Sequence, residues 1–115
     1  MNEKIKAAVL GCTGYTGLEL VNVLKNHPNV IISFLGSQSH SGEDINKFDK
    51  RLKNISLPKL NLLNNINFSK VDVVFFALPH SISQNIIKDN FGKSIFIDLS
   101  ADFRLEDPTI YMNNY

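Results

Sequence analysis

Three glycines in the run Gly11-Cys12-Thr13-Gly14-Tyr15-Thr16-Gly17 constrain this chain more than any other feature. Before the run lies a nearly all-apolar stretch, Ile5 to Leu10, of the kind that forms a strand covered on both faces of a parallel sheet. After it, Leu18, Val21 and Leu24 recur at helical spacing until His27-Pro28, where proline disfavours helical geometry in the residue before it. Strand, glycine turn and helix in that order are the context in which G-x-x-G-x-x-G acts as a variant of the dinucleotide-binding fingerprint. Gly11 then permits the tight turn, Gly14 lets the backbone approach a pyrophosphate, and Gly17 lets the helix pack closely on the strand. The first helical turn offers free N–H groups and the positive end of the helix dipole to the phosphates. Thr13, Tyr15 and Thr16 lie between these glycines and join the expected cofactor-binding set. The competing reading is a plain glycine-rich loop, which the spacing and context disfavour.

The remaining pattern repeats the alternation. Val30 to Leu35 reads as a second strand, with Gly36-Ser37-Gln38-Ser39 as a loop. Asp44 to Leu52 reads as a short charged helix broken by Leu57-Pro58, and Lys59 to Leu63 as a weak strand. Val71 to Leu78 is the strongest strand pattern, and Pro79 closes it. Ser81 is the expected N-cap of a helix carrying Ile82, Ile86, Ile87 and Phe91 on one side, ended by Gly92. Ser94 to Leu99 reads as a last strand, and residues 100–115 as polar loop with aromatic anchors. Strands alternating with helices predict an α/β fold, a Rossmann-type doubly wound and mostly parallel sheet that binds ligands at its carboxyl edge.

Folds of this kind that bind NAD usually carry an acid about 20 residues past the glycine turn to hold the ribose hydroxyls. Here the position falls in Leu35 to Ser39, and the first acid is Glu43. The expected cofactor is therefore NADP (NADPH), with Ser37 and Ser39 as donors to its 2′-phosphate. An ordinary polar loop is the alternative.

With 115 residues, 43 % hydrophobic and 20 % charged, the chain suits one domain, 1–115. A net charge of +1 supplies no bulk electrostatic argument for nucleic acid or a membrane surface as partner. No apolar run approaches the roughly 20 residues that cross a bilayer, and the N-terminus shows no apolar signal segment, so a cytoplasmic protein is expected. Cys12 is the only cysteine, which excludes an internal disulfide and a cysteine-based zinc site; no metal is expected. His27 and His40 read as solvent-exposed residues at a helix end and in a loop.

Three segments, in the right order along the whole chain, bring a family into view. Gly11 to Leu20 (GCTGYTGLEL), Ala77-Leu78-Pro79-His80 and Asp98 to Leu105 (DLSADFRL) resemble the corresponding motifs of N-acetyl-γ-glutamyl-phosphate reductases, and Tyr111 and Tyr115 continue the pattern. The resemblance implies NADPH-dependent reduction of an acyl phosphate, N-acetyl-γ-glutamyl phosphate, to the semialdehyde in arginine biosynthesis. In that family a cysteine forms a thioester and a histidine acts as acid/base, both in a second domain. This chain stops before the family's N-P-G-C-Y-P segment, so the expectation is an incomplete cofactor-binding domain with no catalytic residue of its own, inactive alone. Gln38 departs from the basic residue that many members carry there.

The resemblance also adds Leu78, Pro79 and His80 to the cofactor-binding set, and Ser100 and Arg104 as substrate-binding residues. His80 reads as a residue beside the nicotinamide or substrate, or as an exposed histidine at a helix start. Arg104 reads as a clamp on the substrate phosphate or carboxylate, or as a salt-bridge partner of Asp102 or Glu106. Cys12, placed against the pyrophosphate, reads as a small packing residue. Loss of covering segments predicts exposed apolar surface and self-association or a homo-oligomer. Two other functions stay open: an aspartate-semialdehyde-dehydrogenase-type oxidoreductase and a non-catalytic NADP-binding module.

Overall fold

Ala7, Ala8, Val9 and Leu10 are all fully shielded from solvent, which explains why consecutive residues of the first strand are apolar: both faces are covered. The computed structural model describes residues 4–99. Its strands are β1 (Ile5–Leu10), β2 (Val30–Ser37), β3 (Leu60–Leu62), β4 (Val73–Phe76) and β5 (Ile95–Asp98), with helices α1 (Tyr15–Leu24) and α2 (His80–Asn90). The five strands form one sheet in the order β3-β2-β1-β4-β5, and every pairing is parallel. The Rossmann-type expectation is met.

The sheet divides two cores. On one side Ala7, Val9, Ile32 and Leu35 pack with Val21 and Leu24 of α1 and with Ile45 and Leu52. On the other, Ala8, Leu10, Val74, Phe76 and Phe96 pack with Ile87 of α2. A register shift between Ala7 and Ala8 pairs Ala7 with Ile32 but Ala8 with Phe34, leaving Ser33 as an extra residue in β2. This bulge puts Ile32 and Leu35 on the α1 side and Phe34 on the other, which strict alternation would not do.

Several expectations need correction. The second strand runs on to Ser37, because Gly36 and Ser37 pair with Asn61 and Leu62 of the edge strand β3. Asp44 to Leu52 is not a helix but two short 3₁₀ turns, Ile45–Lys47 and Lys50–Leu52. Between them Asp49 is extended, and its carboxylate accepts from the Arg51 N–H, a local bond that competes with helix continuation. The strand expected over Val71 to Leu78 is the shorter β4, although Val71 and Leu78 stay buried at its ends. Ser81 does not cap α2: the helix begins at His80, and the Pro79 carbonyl accepts from the Ile82 and Ser83 N–H groups. Phe91 lies just past the end of α2 in extended geometry and stands exposed, so helical spacing no longer decides where it points. Residues 100–115, with Ser100 and Arg104, lie outside the described residues.

Candidate dinucleotide-binding site

The strand order reverses at β1: the chain proceeds outward through β2 and β3, then returns to β4 on the other side. Open sheets bind ligands at the carboxyl edge beside such a switch point, and the glycine turn leaves β1 there.

Each glycine plays a different part. Gly11 has φ +87°, and a side-chain carbon on it would lie 2.4 Å from the Ala77 carbonyl oxygen at the end of β4. Both the conformation and the space demand glycine. A side-chain carbon on Gly17 would lie 2.3 Å from the Gly11 carbonyl oxygen and 2.7 Å from Cys12 Cα, so its absence lets α1 seat against the turn. Gly14 differs: it is exposed, its φ is −80°, and a side-chain carbon would meet only Gly11 O at 3.8 Å. The space before Gly14 is open, and it is the space the fingerprint assigns to the pyrophosphate.

Gly14 is the N-cap of α1, with no side-chain cap and no acid in the first turn. The first N–H groups of a helix have no intrahelical acceptor, so Tyr15, Thr16 and Gly17 present donors and a positive dipole end to an anion. Thr13 and Thr16 are half-buried beside them, and Tyr15 is strongly exposed.

The turn is anchored to β2 by Gly36, which belongs to the strand and not to the loop expected over Gly36-Ser37-Gln38-Ser39. The Gly36 carbonyl accepts from the N–H groups of Gly11 at 2.8 Å and Cys12 at 3.3 Å, and from the Cys12 thiol at 3.4 Å. Cys12 is therefore not set against the pyrophosphate space. It is fully buried in the α1-side core, where desolvation pushes its thiol up to about 12. A packing role holds; its expected place does not.

At the end of β2, Ser37 is only 2 % exposed, and its hydroxyl oxygen accepts from the N–H groups of Ser39 (3.4 Å) and His40 (3.2 Å). It closes the turn from within, while Gln38 and Ser39 face outward. Burial thus leaves Ser39, not Ser37, accessible to a ligand. His40 is engaged as well as partly exposed: its Nδ1 lies 3.3 Å from Glu43 Oε2, and its ring meets Phe48 edge-on at 4.8 Å. Glu43 also binds Lys47 at 3.0 Å, and the Lys47 and His40 contacts hold its carboxyl below the usual range. Spacings of three and four residues in His40, Glu43 and Lys47 were the available signal for this cluster. His27, exposed as expected, accepts the Asn29 N–H on Nδ1 at 3.0 Å.

After β4, Leu78 is buried in the α2-side core, whereas Pro79 and His80 are exposed at the start of α2. Leu78 Cδ2 would lie 3.0 Å from a side-chain carbon on Gly11, so Leu78 supports the turn from beneath. The β4 end, the glycine turn and the β2 end thus meet at one edge. A separate groove of about 770 Å³ between the 63–69 segment and α2, floored by Leu63, Ile66, Phe68 and Ile86, includes none of these residues. Among the described residues, no group of three or more metal-ligating side chains occurs and no helix is long and apolar enough to cross a membrane.

Comparison with known proteins agrees with this geometry. The N-acetyl-gamma-glutamyl-phosphate reductase of Paracoccus denitrificans is 40 % identical over 111 residues, covering 96 % of this chain, and that of Alkaliphilus metalliredigens is 46 % identical over 109 residues, covering 93 %. The chain spans only 32 % of the length of each. Among solved structures, aspartate semialdehyde dehydrogenase from Candida albicans, determined with NADP, superposes with a TM-score of 0.69 at 26 % identity, covering 90 % of this chain and 32 % of that one. The Vibrio cholerae aspartate semialdehyde dehydrogenase II, TM-score 0.65 at 18 % identity over 86 % of this chain and 31 % of that one, shares the fold. Residues 6–114 match the family described as semialdehyde dehydrogenase, NAD binding domain, and this chain belongs to that family.

Proposed function

We propose that this chain, as an incomplete domain over 1–115, is the cofactor-binding part of an NADPH-dependent enzyme that reduces N-acetyl-γ-glutamyl phosphate to N-acetylglutamate semialdehyde, with release of phosphate, in arginine biosynthesis. The observation that carries the reading is the open space before Gly14, beside uncapped N–H groups at the switch point of a parallel sheet. Identity of about 40 % to the curated reductases supports this substrate over the aspartyl one, to whose structures identity is lower. The structural likeness keeps an aspartate-semialdehyde-dehydrogenase-type reaction as the second reading.

The residues fit the dinucleotide. Thr13, Gly14, Tyr15, Thr16 and Gly17 would hold the pyrophosphate through backbone N–H groups, and Gly11 keeps the turn tight against β4. Ser39 would reach the 2′-phosphate, with Ser37 shaping the turn. Pro79 and His80 would border the ring end, over Leu78. Ser100 and Arg104 would bind the acyl phosphate. NADPH, when bound, supplies the hydride. The thioester route needs a nucleophile with acid/base help in reach, and a buried, strongly protonated Cys12 is no such nucleophile. That work falls to residues outside this chain. The setting is the cytoplasm, and exposed Phe91 and Ile95 beside edge strand β5 favour association of copies.

The test is titration of NADPH and NADH, followed by an assay of N-acetylglutamyl-phosphate-dependent NADPH oxidation in the protein that carries this chain. Preferential NADPH binding and turnover with that acyl phosphate support the reading; turnover only with aspartyl phosphate replaces it with the second.

A further inference from the structure

The turn after β2 holds charges of both signs in pairs. Its acids are matched by lysines: Glu43 binds Lys47 at 3.0 Å, and Asp44 binds Lys59 at 3.1 Å. Position 38 is Gln. Among the described residues, a dianionic 2′-phosphate entering here would meet these two balanced ion pairs and His40.

His40 is fixed within the same turn. Its N–H bonds to Ser37 Oγ, which fixes the residue to the end of β2, and Phe48 braces the ring. Its Nδ1 faces Glu43 Oε2. An ionised carboxylate only accepts hydrogen bonds, so Nδ1 carries the proton in that contact. In the neutral ring Nε2 is then a bare acceptor, which repels a phosphate oxygen. A second proton turns Nε2 into a donor and changes the balance of the cluster of Glu43, Lys47 and His40 from zero to +1. Histidine is the side chain whose charge changes between about pH 5 and 8.

Resting on the dinucleotide reading above, we infer that His40 is the selectivity-determining residue for NADP over NAD, and that it takes up a proton as the 2′-phosphate binds. The phosphate draws the proton onto Nε2, and Glu43 stabilises the resulting imidazolium from the other side of the ring. NAD, with a free 2′-hydroxyl, has nothing to draw it. Selectivity for NADP therefore falls as pH rises.

Calorimetric titration of the protein with NADP and with NAD, at pH 7.5 in two buffers of different ionisation enthalpy, reads proton uptake directly. A phosphate monoester has its second ionisation near about pH 6, so the 2′-phosphate is already dianionic and its own titration does not intrude. NADP should bind with net proton uptake and NAD with none. Between pH 7 and 8.5, NADP affinity should fall roughly fivefold or more and NAD affinity should stay within about twofold. His40→Gln should abolish the uptake and weaken NADP binding, and His40→Arg should restore tight, pH-independent NADP binding without uptake. Uptake that persists in His40→Gln, or wild-type NADP binding with no uptake and no pH dependence, overturns the assignment while leaving dinucleotide binding intact. Failure of both dinucleotides to bind the folded protein, or tighter binding of NAD than of NADP, overturns the cofactor reading itself and this inference with it.

Discussion

A side-chain carbon on Gly17 would stand 2.3 Å from the carbonyl oxygen of Gly11, so the first turn of α1 rests directly on the backbone of the turn that leads into it. That oxygen belongs to a rigid peptide held between β2 and β4, and it cannot move aside cheaply. Gly17→Ala should destabilise the protein by about 2 kcal/mol or more despite alanine's better helix propensity. Denaturant unfolding measures it; a wild-type midpoint would show that the helix does not sit where described.

Gly14→Val should do the opposite. No atom but Gly11 O approaches within 4 Å of a side-chain carbon there, so unfolding stability should change by less than about 1 kcal/mol, while cofactor affinity drops more than about tenfold because the branched side chain fills the pyrophosphate space. Fluorescence titration with NADPH on the folded variant decides it. Unchanged affinity would remove the glycine turn from the site.

Gly36→Ala should cost less than Gly17→Ala. Its nearest obstacles are side-chain ends, Leu10 Cδ2 at 2.7 Å, Leu63 Cδ2 at 3.0 Å and Phe34 Cε2 at 3.2 Å, which can shift. A loss of about 1 kcal/mol is expected from overpacking. A loss equal to that of Gly17→Ala would mean that the β2 end is as rigid as the turn it anchors.

Cys12 should resist thiol reagents in the native state. It is fully buried, and desolvation keeps the thiol protonated at pH 8. Labelling with a disulfide reagent should be slow in buffer and complete within minutes in strong denaturant. Rapid native labelling would contradict the packing of this residue in the core.

Asp49 makes an acid-sensitive clasp. Its carboxylate, 10 % exposed, accepts from the Arg51 guanidinium and backbone N–H and from Asn22 of α1, and Arg51 also reaches Glu19 of α1. The Arg51 bonds hold the Asp49 carboxyl well below the ordinary carboxylate range and raise the guanidinium further. A lowered folded value means that the contribution to stability is fully present above the unfolded value of about 4 and is lost as pH falls below it. Thermal midpoints between pH 5 and pH 2 should therefore decline more steeply in the wild type than in Asp49→Asn. Parallel declines would show that the clasp does not couple to folding.

How much was legible in advance depends on the range of the interaction. The five strands, both helices, the glycine turn and the parallel class could be read from the chain because apolar runs, helical spacing and glycine's conformational freedom act within a few residues. The same holds for the conflict at Asp49 with Arg51, a local bond present in the sequence but outweighed in the reading by the charge pattern of a helix. Nothing local told that Ser33 is the extra residue of a bulge, that the Gly36 carbonyl would gather three donors from the glycine turn, that the Cys12 side chain would turn into the core, or that Ser37 would be buried. Those outcomes join residues 24 to 26 positions apart, and which atoms meet over such distances is decided by the registration of packed strands, not by any pattern a single segment carries.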